Sequence, residues 1–296
     1  MIPPMGSARG GFVLVLLASM CFGTLGIFSS LAYDEGADPW TLLFLRFAIT
    51  SPLLVLLALA LREPWPGRRG IVLGLLLGIL QIGVGVGLLE GFERAPVALV
   101  TLLYFAYPLI TSVGAALVYR ERISPQRGII LAVALTGVVL VVGLPDSANV
   151  AGVVLGLLAG LCVSGLILSS QYVMAKESVS PVVLCALMFS SPVLVLLLLL
   201  PWRAPNFGMS GPAWGWALCG VLIAATIPIG CFYAGVRRVG AAVAGLLSTA
   251  EPVVTVVLAY LVLDESLTAV QLTGGALVVL SVAALSLERR RGGVAA

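Results

Sequence analysis

Two stretches of this 296-residue chain decide its fold: Thr101-Leu-Leu-Tyr104-Phe105-Ala106-Tyr107-Pro108 and Gly245-Leu-Leu-Ser248-Thr249-Ala250-Glu251-Pro252. They align at a spacing of 144 residues, and the same spacing pairs Arg94 with Arg238, Thr111 with Thr255 and Glu121 with Glu265. A second block recurs at a spacing of 141, where Gly11 and Cys21 fall on Gly152 and Cys162. Leucine and valine coincide easily in apolar sequence, so the ordered Arg, Pro, Thr, Cys and Glu matches carry the case. The chain reads as a duplication, residues 1–148 followed by residues 149–296.

Composition fixes the solvent. The chain is 60% hydrophobic and 10% charged, with a mean hydropathy of +1.16, which is the make-up of an integral membrane protein. Apolar runs long enough to span lie at 10–33, 40–61, 70–91, 97–119, 126–144, 150–174, 181–201, 213–236, 241–263 and 269–287. A spanning helix needs roughly 20 residues for about 30 Å of hydrocarbon. The expectation is therefore an all-α integral membrane fold of ten transmembrane helices, five in each half. The first run lacks an A-x-A cleavage site and recurs at 150–174, so it is read as a retained helix. The five cysteines all lie inside apolar runs and act as small hydrophobes.

Loop charges set the orientation. With a cytoplasmic N-terminus, thirteen of the sixteen Lys and Arg residues fall on the inside, leaving Arg94 and Arg203 outside and Arg46 within the second helix. The positive-inside rule is met, and both termini are expected in the cytoplasm. Because each half holds an odd number of helices, the halves enter the membrane in opposite directions and form an inverted-topology repeat. The loop charges agree, since Arg120-Glu121-Arg122 is replaced by Asp264-Glu265-Ser266 in its mate. Inverted repeats suit transport, because two exchangeable halves open a site between them to either side.

Few residues can carry a function in such a chain. Pro108 and Pro252 sit near the bilayer midplane, and each removes an N–H from its helix and strains the carbonyl four residues back, at Tyr104 and Ser248. Such carbonyls serve as ligands or the prolines as hinges; the alternative is a tolerated kink. Glu251 is the acidic residue deep in a run, where burying its charge costs on the order of 3 kcal/mol unless it is paired, protonated or wetted. It either holds a substrate ammonium, carries a proton, or bonds a helix-break carbonyl. Arg46 lies about 10 Å below the end of its helix at a rise of 1.5 Å per residue. It either snorkels to the surface, attracts carboxylates or closes an external gate. Gln81 is the polar residue amid glycines of the third run, whose spacing points to close helix packing or, as the alternative, to a rim of bare backbone beside a cavity. Tyr104, Tyr107 and Tyr233 offer rings and hydroxyls to a solute, whereas Tyr33, Trp40, Trp65, Trp202 and Trp214 read as interfacial anchors.

Several chemistries lack material. There is no histidine, which removes His metal sites and imidazole relays, and no metal or other cofactor is expected. Every aspartate lies at a run's end, so no intramembrane aspartyl dyad can form, and no Gly-x-x-x-x-Gly-Lys-Ser/Thr loop is present. An enzyme is not expected. The net charge of +3 is spent on topology and gives no reason to expect nucleic acid.

Ten helices in two halves, with Pro108 and Pro252 followed by Glu121 and Glu265, resemble the EamA-type drug/metabolite transporter superfamily, and within it the YddG-type bacterial amino-acid exporters. The resemblance implies a multi-pass protein of the bacterial inner membrane with a central cavity formed by both halves, lined by Gln81, Tyr104, Tyr107, Tyr233, Ser248 and Glu251. It implies export or facilitated passage of amino acids and related small metabolites by alternating access. Pro108, Pro252 and Arg46 are the hinge or gate candidates. The expected partners are a small-molecule substrate and membrane lipid; a monomer suffices, and a dimer is compatible. Proton-coupled drug efflux with Glu251 as carrier is the alternative within transport, and a non-transporting membrane scaffold or assembly factor is the alternative outside it.

Overall fold

The computed structural model describes residues 5–107, 110–111, 113–114, 125–142, 150–239, 247–248 and 250–292. Its helices are α1 (Met5–Phe22), α2 (Leu25–Asp34), α3 (Pro39–Ala60), α4 (Arg68–Arg94), α5 (Val97–Tyr104), α6 (Pro125–Val142), α7 (Val150–Glu177) and α8 (Pro181–Leu199). There follow α9 (Gly211–Val221), a π-helical turn (Leu222–Thr226), α10 (Ile227–Val239), α11 (Ala250–Val262) and α12 (Ala269–Gly292). Among the described residues all regular structure is helical. Residue types explain where several helices start. Asp38, Ser180 and Ser210 accept the backbone N–H of Thr41, Val183 and Ala213 at 3.0, 3.3 and 3.1 Å. Each is followed within two residues by a proline, whose missing N–H costs nothing in a first turn.

Among the described residues, six segments are long and apolar enough to cross a membrane: 9–34, 39–60, 68–94, 150–174, 181–199 and 211–232. Shorter apolar helices cover 128–140, 250–262 and 269–284. The helix expected over 97–119 does not run through. It ends at Tyr104, and Phe105 and Ala106 form a turn, as suits a stretch in which Pro108 has no N–H for the Tyr104 carbonyl. Pro108 itself lies outside the described residues. The first run is also interrupted, at Gly23–Thr24, and the run over 213–236 carries the π turn.

Contacts between helix ends and loops order the two faces. Glu265 reaches Val97 and Ala98, and the 200–210 loop reaches Glu35, Trp40 and Thr41, so these segments share one face, here the far face. Arg69 and Glu177 pair at 3.3 Å on the opposite, near face, where α1 begins and α12 ends. The most extensive packing joins α4 with α7, α6 with α12, α1 with α10, and α3 with α8.

In lipid, helices associate through close packing and not through exclusion of water, so small residues matter. The glycines of α4 are set against neighbours on several sides. A Cβ at Gly78 would stand 2.8 Å from the Met188 carbonyl oxygen on α8, and one at Gly87 would stand 2.7 Å from the Leu155 carbonyl oxygen on α7. The α3–α8 seam is joined by hydroxyls: Ser51 and Ser190 share a hydrogen bond of 2.9 Å, beside Pro52 and Pro192, the prolines inside these two helices. Ser191 donates to the Leu75 carbonyl of α4 at 2.5 Å.

This packing is testable by contrast. Gly87→Ala pushes a methyl onto the α7 backbone and is expected to destabilise the detergent-solubilised protein by about 1–3 kcal/mol. Gly215→Ala, on a face of α9 with nothing within 4 Å, is expected to be neutral or slightly stabilising. Thermal unfolding midpoints of the two variants measure the difference, and equal midpoints would contradict the packing.

Candidate functional site

Two interrupted helices meet in the middle of the molecule. At Gly23–Thr24 the chain turns, with Thr24 Oγ1 donating to the Cys21 carbonyl at 2.7 Å. Thr255 of α11, 2% exposed, sends its hydroxyl to the Gly23 carbonyl at 2.8 Å and lies 3.1 Å from that of Glu251. Gly23 is required at this crossing, because a Cβ there would stand 2.7 Å from the Glu251 carbonyl oxygen. Phe22 and Glu251, on either side of the crossing, face one cavity.

That cavity has a volume of about 220 Å³. Its polar lining comprises Arg46 of α3, Gln81 of α4, Tyr104 of α5, Tyr107, Ser248 and Glu251. The apolar lining includes Phe22, Val84, Leu166, Met188, Phe189, Ile229 and Phe232. Gln81 and Ser248 are buried, while Tyr104, Tyr107 and Glu251 remain partly accessible. The Tyr104 and Tyr107 rings lie 5.4 Å apart, and Phe22 meets Phe232 edge-on at 6.2 Å. Arg46 is 9% exposed, and its Nε and Nη1 have no acceptor.

The sequence-derived residues divide as follows. Gln81, Tyr104, Tyr107, Ser248, Glu251 and Arg46 converge on the cavity. Tyr233 lies on α10, and its side chain is outside the described residues, as is Pro108. Pro252 is buried and lines a separate apolar groove with Leu102, Val256 and Gly275. The strained carbonyls are used locally: that of Ser248 accepts the Glu251 N–H at 3.1 Å, and that of Tyr104 packs against Gly160, where a Cβ would stand 3.0 Å away. Sequence reasoning missed Gly23, Thr255 and the phenylalanines. The one available signal was Gly23-Thr24 interrupting an apolar run.

Toward the far face the space narrows. Beyond Arg46 lies a pocket of about 10 Å³, room for about one water, walled by Phe28, Leu42, Leu89 and Trp216. Phe28 and Trp216 stack at 6.2 Å. Above them the 200–210 loop is strapped down. Arg203 lies 5.1 Å over the Trp40 ring and 3.9 Å from Glu90, Trp40 Nε1 donates to the Arg203 carbonyl at 2.9 Å, and Asn206 N donates to Thr41 Oγ1 at 2.8 Å. Phe207 packs between Phe44 and Trp214.

Glu265, beyond α11, fixes the start of α5. Its carboxylate accepts the Val97 and Ala98 N–H groups at 2.7 and 3.0 Å, satisfying donors that the first turn leaves open. Since α5 ends at Tyr104, this cap sets the depth of a cavity residue.

Two substitutions probe these supports by thermal unfolding. Glu265→Gln is expected to cost about 1–2 kcal/mol, because the bonds lost are charge-assisted. Thr255→Val is expected to cost about 1 kcal/mol. A Thr255→Val protein with an unchanged midpoint would remove the hydroxyl as the support of the Gly23 break.

Known proteins share this organisation. The model of the EamA-like transporter family matches residues 9–143 and 150–287. The chain is 25% identical to the uncharacterized transporter sll1319 of Synechocystis sp., over 94% of each chain. It is 25% identical to the uncharacterized inner membrane transporter YicL of Salmonella typhimurium, over 97% of this chain and 98% of that one. It is 24% identical to an uncharacterized transporter of Archaeoglobus fulgidus, over 93% and 95%. A solved crystal structure, 20% identical, superposes with a TM-score of 0.66 over 96% of this chain and 98% of that one, a likeness of fold.

Proposed function

The chain belongs to the EamA-like transporter family, and we propose that it carries amino acids and related small metabolites out across a bacterial inner membrane, by alternating access around the central cavity. The observation that carries this reading is the composition of the cavity wall. A guanidinium, a carboxyl group, an amide and two phenols line about 220 Å³ among apolar and aromatic side chains. An amino acid needs an acceptor for its ammonium, which Glu251 provides, and donors for its carboxylate, which Gln81, the tyrosines and Arg46 provide. The volume lies below the roughly 300–1,000 Å³ of pockets for drug-sized ligands, which favours a small solute.

The packing pattern supports the mechanism. If the chain holds ten spanning helices in repeats 1–148 and 149–296, exchanging the halves turns the α4–α7 contact into the α10–α1 contact and maps the α3–α8 and α6–α12 contacts onto themselves. These are four of the five most extensive contacts. Such a pseudo-twofold arrangement suits two bundles rocking about a fixed site. In this reading both termini are cytoplasmic, the far face is external, and one chain suffices, since both halves wall the cavity.

Counterflow of radiolabelled amino acids in proteoliposomes tests the reading. Wild type is expected to show saturable exchange, and Glu251→Gln is expected to lower it at least about tenfold through loss of the ammonium acceptor. Proton-coupled efflux is the second reading, favoured by a carboxyl group in a partly aromatic cavity. Uptake that requires an imposed proton gradient, and that Glu251→Gln abolishes, would establish it in place of facilitated exchange. Absence of flux across all amino acids would refute amino-acid transport.

A further inference from the structure

Two nitrogens of the deepest cation of the described fold have no acceptor. Arg46 is 9% exposed, it lines both the central cavity and the narrow pocket beyond it, and neither Nε nor Nη1 has an acceptor. Its side chain therefore does not snorkel to the surface. Glu251 lines the same cavity without satisfying either nitrogen. A buried guanidinium left with open donors is costly, and an evolved cavity keeps one where a ligand supplies the missing acceptors. Carboxylate and phosphate are the small anions that a guanidinium binds through paired oxygens. A doubly charged phosphate suits the cavity less well, because the Glu251 carboxyl group shares it.

We propose that Arg46 is the carboxylate receptor of the cavity, so that a free carboxylate is a requirement for transport and the solute sits with that group toward the far face. The proposal rests on the amino-acid reading above and deepens it, by making Arg46 the residue that decides specificity and fixes the solute's polarity. Its amino group then points toward Glu251. Arg46 also forms the floor of the pocket closed by Phe28 and Trp216, so the carboxylate is the first part of the solute to reach that closure.

The test compares leucine with leucinamide, which keeps the ammonium and side chain and lacks the carboxylate. Counterflow of each is measured in proteoliposomes of wild type, Arg46→Lys and Arg46→Gln, alongside the thermal midpoint of each purified protein. Wild type is expected to exchange leucine at least about tenfold faster than leucinamide. In Arg46→Gln leucine flux falls at least about tenfold and the gap between the two solutes closes to about twofold, while Arg46→Lys keeps part of the preference. The Arg46→Gln midpoint stays level or rises, since an uncompensated buried charge has been removed. Equal exchange of the two solutes by wild type would leave amino-acid transport standing and overturn the role of Arg46. An Arg46→Gln protein with a lowered midpoint and an undiminished leucine preference would make the residue structural and overturn it too. Failure of wild type to exchange any amino acid would instead overturn the proposed function, and this inference with it.

Discussion

A helix that breaks inside hydrocarbon exposes carbonyls to a medium that cannot hydrogen-bond them, so a break survives only where protein supplies the donor. Here the break at Gly23–Thr24 is closed from within by Thr24 and from outside by Thr255. The crossing works because Gly23 has no side chain and so admits the Glu251 backbone. Much of the site follows from this contact. It fixes the start of α11, brings Glu251 to the cavity wall, and turns Phe22 to face Phe232. On the opposite wall, the Glu265 carboxylate caps α5 and sets Tyr104 at the depth of Glu251.

The long helices were legible because hydropathy measures the cost of placing side chains in lipid. Runs read at 40–61, 70–91 and 181–201 become α3, α4 and α8 with ends displaced by at most three residues. The interruption over Leu222–Thr226 was not legible, and that at Gly23–Thr24 left only its Gly-Thr pair as a sign. Neither alters mean apolarity, and what they change is backbone pairing, which depends on distant donors such as Thr255. The polar lining was visible for the same reason as the helices: Arg46, Gln81 and Glu251 each stand out as costly in an apolar run. Phe22, Met188, Phe189 and Phe232 were invisible, because an apolar residue facing a cavity and one facing lipid look alike in sequence. The Ser248 carbonyl accepts the Glu251 N–H, and that of Tyr104 packs beside Gly160.

The seams between helices are held by weak polar links. Thr50 with Thr226 at 2.8 Å and Ser51 with Ser190 at 2.9 Å are neutral hydroxyl pairs, and interhelical hydrogen bonds in membranes average about 0.6 kcal/mol. Glycine contacts supply closeness without interlocking side chains. Such seams hold the bundle together while leaving small displacements cheap.

The strap over the far face has a thermodynamic consequence of its own. Arg203, Asn206, Phe207 and Ser210 all belong to a single connecting loop, and each holds it by contacts at or near the surface. Lifting the loop loses several interactions worth about 1 kcal/mol or less each, while each released residue regains about 1–2 kcal/mol of backbone freedom. Lifting the loop therefore exchanges contact enthalpy for chain entropy. Warming raises the weight of the entropic term and so loosens the strap.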